Sequence, residues 1–274
     1  MRPLALTIGD PAGIGGELTL RAWLALRGGE ISFVVLDDPS RLAALARTLG
    51  LDVPLAEVTR AAAASALFPD ALPILPIPLA ATPRPGHPDR ANATAVIASI
   101  ERATRLALAG EVSGVVTNPI NKAALYSAGF SYPGHTEFLA ALTGATGRQV
   151  MMLASPQLRV VPVTVHASLR DSLAMLTANL ILATARTTAD SLRTSFGIAR
   201  PRLAVAGLNP HAGESGALGS EETTIIGPAI EALRAAGEDV SGPWTPDTMF
   251  TRAARARYDV AICMYHDQGL IPLK

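Results

Sequence analysis

The sequence predicts an α/β fold of two lobes, each built on a mostly parallel sheet. Three observations carry this. Short β-branched runs alternate with Ala- and Leu-rich helical stretches along the whole chain, the pattern of successive βα units. The 274 residues suffice for one large domain or two smaller ones, each with its own core. Hydrophobic residues reach 49% against 17% charged, which excludes a disordered chain.

The first strand is LALTI at 4–8, and "TIGDPAGIGGE" at 7–17 turns it into a helix over 17–27. SFVVL at 32–36 and a helix at 40–49 follow, and "AAAASA" at 61–66 reads as helix filler. Residues 69–90, "PDALPILPIPLAATPRPGHPDR", carry seven prolines. Proline lacks an N–H and clashes in helix interiors, so this stretch is expected to cross the surface in extended form, as neither helix nor central strand. A helix at 91–109 and strand SGVVT at 113–117 come next.

The pattern breaks at "NPINK" and "SYPGHTE", so the lobes are expected to divide as 1–125 and 126–274. In the second lobe the expected strands are 149–153, 158–165, 202–207 and 258–264, with helices at 136–143, 177–196, 220–236 and 247–257. Ser, Thr or Asp stands at several of the helix starts, as N-caps require. The chain closes on "MYHDQGLIPLK", read as an apolar strand delivering His266 and Asp267 to a Gly-containing bend.

Acidic and basic residues balance at 23 each, which argues against nucleic acid or an anionic membrane as partner and for a small ligand. No apolar run approaches the roughly 18 residues of a membrane span, and the opening one is too short for a signal peptide. A single cysteine, Cys263, supports no disulfide framework and fits a reducing cytosol. Only two of the 23 basic residues are lysines, Lys122 and Lys274, where arginine serves everywhere else. Lysine differs from arginine in its compact ammonium and tunable pKa.

His166, His211 and His266 each stand at or just past the carboxyl end of an expected strand. Ligands of open α/β sheets bind outside those ends, and three imidazoles with open positions make a catalytic divalent-metal site. The plainer reading, three ordinary loop or core histidines, is open for each taken alone. Asp247 and Asp267 are candidates to orient such ligands, and Asp247 could equally be a helix N-cap. His135 and Thr136 open a helix, where free N–H groups favour an anion. Gly13 and Gly15 of the first loop, with Asn118 and Lys122 after the 113–117 strand, are weaker phosphate candidates. His87, among prolines, reads as a surface residue.

Taken in order, "GDPAGIGGE", "TNPINK", "YPGHTEF", "VTVH", "GLNPHAGESGALGSEE", "GPWTPDT" and "YDVAICMYHDQGLIPLK" closely resemble the PdxA family of pyridoxal phosphate biosynthesis. The resemblance implies a fold like the isocitrate and isopropylmalate dehydrogenases, in a homodimer with active sites at the interface. It also implies a divalent metal (Zn, Mg, Mn or Co) on His166, His211 and His266, and substrate contacts at His135, Thr136 and Lys274. The implied reaction is NAD- or NADP-dependent oxidation and decarboxylation of 4-phosphohydroxythreonine, with Lys274, Asp247 and Asp267 as candidate catalytic groups. The family pattern continues past "IPLK" with further substrate and dinucleotide residues that would complete the first lobe, and no GxGxxG replaces them here. Alternatives of the same motif set are a 4-phospho-D-threonate or 4-phospho-D-erythronate dehydrogenase. A non-catalytic metal- or phosphate-binding remnant and a metal hydrolase remain beside them.

Overall fold

A computed structural model describes residues 2–274, which form two units, the first ending at Gly147 and the second running from Arg148 to Lys274. The first contains β1 (Leu4–Thr7), α1 (Gly15–Leu26), β2 (Phe33–Asp37), α2 (Pro39–Thr48), β3 (Leu55–Glu57), α3 (Ala64–Leu67), β4 (Leu72–Pro76), α4 (Ala93–Leu108), β5 (Val115–Val116), α5 (Lys122–Ser127) and α6 (His135–Leu142). Its five strands are all parallel, in the order β3-β4-β2-β1-β5. Alternation along the strands divides the apolar side chains between two faces. Ala5, Val34 and Leu36 pack on one side with Ala95 and Ala103 of α4, while Leu6, Phe33 and Val35 pack on the other with Leu20 and Trp23 of α1 and Leu42 of α2.

The second unit contains β6 (Leu153–Ala154), β7 (Arg159–Pro162), α7 (Leu169–Met175), α8 (Ala178–Thr194), β8 (Arg202–Ala206), α9 (Gly227–Ala235), β9 (Asp239–Trp244), α10 (Pro246–Met249), α11 (Arg252–Arg255), β10 (Val260–Cys263) and α12 (His266–Leu273). The sheet order is β6-β7-β10-β8-β9, parallel except where the two-residue β6 runs against β7. Val161, Val205 and Ile262 meet α8 and α9 through Ile181, Ala185 and Ile230. Among the described residues no helix is long and apolar enough to cross a membrane.

Four expectations need correction. The proline-rich stretch contributes β4, a strand inside the sheet between β3 and β2. Pro73 precedes the first residue paired with β2, and Pro76 follows the last paired with β3, so each proline has a ladder on one side only. The closing His-Asp segment is helix α12, because Gly269 lets it lie against Cys263 and Val160, 3.1 and 3.2 Å from the position a Cβ would take. The units divide after Gly147, because Leu125, Phe130 and Phe138 bury themselves with Ile8, Val96 and Ile100 of the first unit. The strand expected at 149–153 shrinks to β6.

Candidate active site

In the second unit, three adjacent parallel strands point their carboxyl ends the same way, and each is followed by one of the three singled-out histidines. β10 lies between β7 and β8, so His166, His266 and His211 leave neighbouring strands. Thr164 ties the first two exits together, its Oγ1 donating to the Met264 carbonyl at 2.8 Å. Gln268, buried, joins the third: its Nε2 donates to the Gly207 carbonyl at 2.7 Å while its Oε1 accepts the Met264 N–H at 2.6 Å.

His166 and His266 come together, with ring centroids 6.4 Å apart, on an open pocket of about 330 Å³ also lined by Ser168, Ser172, Tyr265 and Asp267. Asp267 Oδ1 stands 2.7 Å from His266 Nδ1. That carboxylate favours a proton on Nδ1 and so leaves the lone pair on Nε2, the tautomer in which an imidazole can ligate a metal through Nε2. His166 adopts a left-handed backbone, φ 55°, uncommon for a residue with a Cβ.

His211 does not join them. It begins a run of five left-handed residues, His211 to Ser215, with φ between 42° and 79°, and among the described residues no three His, Cys, Asp or Glu side chains stand close enough to hold a metal. Two of the three histidines therefore share one pocket, and the third is exposed on its own turn. The clamp of that turn escaped sequence reading. Glu222, buried, accepts Leu208 N–H and Asn209 N–H, both at 2.7 Å, and Asn209 Nδ2 at 3.0 Å. Burial raises its pKa, but the bonds from the Asn209 side chain and from backbone N–H groups outweigh that and leave it lowered. In the sequence Glu222 is one acid among "SEETT", with no local signal to mark it.

Asp247 is exposed in the first turn of α10, and Thr245 occupies the N-cap position, which corrects the capping alternative. Proline at the first helical position starts the helix at Pro246, two residues earlier than an Asp247 cap would, so Asp247 lies inside the first turn. Lys274 presents an exposed side chain just beyond α12.

In the first unit the glycine loop after β1 is bound to the protein itself. Arg41 donates from Nε and Nη2 to the Pro11 carbonyl at 3.2 and 3.1 Å and from Nη1 to Asp37 at 2.6 Å. Asn118 is buried, donating from Nδ2 to Thr7 O at 2.9 Å and Thr19 Oγ1 at 3.1 Å. A Cβ on Gly15 would lie 3.0 Å from Asn118, and one on Gly13 3.3 Å from Asp10. Close packing thus accounts for these three positions of the weak phosphate set. Past β5, Lys122 opens α5 and His135 and Thr136 open α6. Burial, then the Lys122 charge, holds His135 below its ordinary pKa.

Fold and site define a two-unit α/β protein that gathers its polar chemistry beyond the carboxyl ends of parallel strands, as α/β dehydrogenases do. Residues 30–274 match the family model described as "Pyridoxal phosphate biosynthetic protein PdxA". The 4-hydroxythreonine-4-phosphate dehydrogenases of Bradyrhizobium diazoefficiens and Caulobacter vibrioides are each 52% identical to it, over 100% of this chain and 82% of theirs. The crystal structure of the Klebsiella pneumoniae enzyme of that name superposes with a TM-score of 0.92 at 40% identity, covering 100% of this chain and 84% of that one. A terephthalate 1,2-cis-dihydrodiol dehydrogenase from Burkholderia xenovorans gives 0.68 at 31% identity, covering 100% and 82%. The chain belongs to the PdxA family. That membership places it in pyridoxal phosphate biosynthesis, among oxidoreductases acting on a CH–OH group.

Proposed function

We propose that the chain oxidises and decarboxylates 4-phosphohydroxythreonine to 3-amino-2-oxopropyl phosphate, with NAD or NADP as hydride acceptor. The observation that carries this is 52% identity, over the whole chain, to relatives bearing that activity's name. We assign a divalent metal (Zn, Mg, Mn or Co) to His166 and His266, which share one pocket, and keep His211 as the third ligand on the family resemblance alone, since it stands apart on its own turn in this structure. The chemistry such an ion supplies when bound is Lewis-acid polarisation of an alcohol or carbonyl oxygen. Asp267 fixes the tautomer of His266 in that assignment. His135, Thr136 and Lys274 are assigned to substrate, and Lys274 and Asp247 are the candidates for proton transfer. A homodimer is part of this reading. Its support is the resemblance and an exposed apolar face of Leu169, Leu173 and Met175 next to the His166 pocket. Placement in the cytoplasm rests on the single, buried cysteine.

The test is turnover of purified protein, followed by reduction of the dinucleotide, on 4-phosphohydroxythreonine against 4-phospho-D-threonate. Preference for the first is expected; strong preference for the second would replace the vitamin assignment with the other substrate. The dihydrodiol dehydrogenase likeness shows that this fold hosts a different named substrate. His211→Ala is expected to abolish turnover and weaken binding of added Zn²⁺ or Co²⁺ while leaving the fold intact. Full turnover in that variant would remove His211 from the metal assignment.

A further inference from the structure

Two polar groups at one spot in the first unit have no hydrogen-bond or ion-pair partner among the described residues. His135 Nε2 is shut off from solvent and has no hydrogen-bond partner among the described residues. Buried polar atoms in folded proteins are nearly always satisfied, and an exception calls for a ligand or water to be named. Next to it stands Lys122, exposed and without an ion pair among the described residues.

Local structure fixes the pair. Asn121 caps α5, its side chain accepting the Ala124 N–H at 3.0 Å, so Lys122 is the first helical residue. Gly134 enters α6 with extended backbone, and a Cβ there would lie 3.7 Å from Lys122 Nζ. The ammonium is thereby held over the amino end of an eight-residue helix that no side chain caps, where first-turn N–H groups lack helical partners. Burial and the neighbouring lysine hold His135 neutral at pH 7, so its Nε2 can donate as N–H without adding a second cation. Glu137 is the other charged group here, its Oε2 3.6 Å from that same Cβ position. An anion can enter beside that carboxylate only while Lys122 offsets it.

We propose that Lys122 and His135 form an oxyanion subsite, in which the Lys122 ammonium and the His135 Nε2–H together hold a phosphate or carboxylate of the substrate at the amino end of α6. This rests on the reading of His135 and Thr136 as substrate contacts and adds Lys122 to them. It also gives one of the chain's two lysines a use that rests on a compact ammonium, which arginine's broader fork would replace only in part.

Steady-state kinetics on 4-phosphohydroxythreonine and an imidazole NMR titration test it. Lys122→Met should raise KM about 10–100-fold with a smaller change in kcat, the scale of one lost charge-assisted hydrogen bond. Lys122→Arg should recover part of that loss. Inorganic phosphate should shift the His135 ring resonance in the parent chain and not in Lys122→Met, whose His135 should titrate at higher pH. This second readout needs no turnover. Unphosphorylated 4-hydroxythreonine separates the two anion sources: a KM penalty that vanishes with it assigns the phosphate, and one that persists assigns the carboxylate. If Lys122→Met keeps parental KM and phosphate response while His135→Gln raises KM, the subsite is wrong and the substrate reading stands. If neither variant alters KM or the phosphate response, both fail.

Discussion

The carboxylate of Glu222 accepts the backbone N–H of Asn209 at 2.7 Å and its side-chain amide at 3.0 Å. Two residues later the chain enters five consecutive left-handed residues, four of them carrying a Cβ, at a cost of roughly 1–2 kcal/mol each. A conformation so disfavoured persists only where its surroundings over-determine it. Glu222→Ala leaves the Leu208 and Asn209 N–H groups without their acceptor and should lower unfolding free energy by about 3 kcal/mol, read from urea midpoints. An unchanged midpoint would mean that the turn holds itself.

The same carboxylate predicts a pH dependence. Its folded pKa lies below the ordinary 4.5, because bonds from Asn209 and backbone N–H groups overcome burial. The stabilisation is therefore complete above about pH 4.5 and is lost as pH falls through the folded value. Glu222→Gln should flatten that part of the stability profile; an identical acid limb in both proteins would assign it to other carboxylates.

Asp37 gives the opposite sign. Burial pushes it up to about 6 despite the Arg41 guanidinium at 2.6 Å. Between 3.8 and about 6 the folded state holds the proton more tightly than the unfolded chain, so this group adds stability as pH falls through that window. Arg41→Met leaves the carboxylate buried and unpaired and releases the Pro11 carbonyl of the glycine loop. A loss of about 3–5 kcal/mol at pH 7 is expected, partly recovered at pH 5 as Asp37 takes a proton. Denaturation of the variant at both pH values measures it, and greater loss at pH 5 would contradict the assignment.

What the sequence made legible was whatever leaves a local signature. β1, β2, β7, β8 and β10 are apolar runs bounded by turn residues, and α4 and α8 are long periodic segments with capping residues. β4 was hidden because its prolines are harmless only through the register of two neighbouring strands, which no window of sequence contains. α12 was hidden because Gly269 and Pro272 look like a bend until the tight seat against Cys263 explains the glycine. The histidines could be singled out from strand ends alone. That His211 turns aside was not visible, since its backbone depends on Glu222, a contact between separate elements.

The 2.7 Å contact between His266 Nδ1 and Asp267 Oδ1 separates a ligand-orienting acid from a surface one. Asp267 is exposed, so Asp267→Ala should change stability by less than about 0.5 kcal/mol. If it orients the imidazole, affinity for added Zn²⁺ or Co²⁺ should fall roughly 10–100-fold in calorimetric titration. Unaltered metal affinity would reduce the pair to a surface hydrogen bond.

Gly269 decides how closely α12 approaches its sheet. A Cβ there would lie 3.1 Å from Cys263 Sγ and 3.2 Å from Val160 Cβ, both on fully buried residues. Gly269→Ala gains up to about 1 kcal/mol of helix propensity but overpacks this contact, at about 1–3 kcal/mol. A net loss of about 1 kcal/mol is expected. Cys263→Ala removes the sulfur, so the double variant should be more stable than the two single losses added together, a coupling that a double-mutant cycle isolates. If His266 ligates the proposed metal, Gly269→Ala should also weaken binding of added Zn²⁺ or Co²⁺, because His266 begins the same helix, and Cys263→Ala should restore it in the double variant. Strict additivity in stability would show that the helix rides outward without strain, and the glycine would then owe its place to something other than the sulfur.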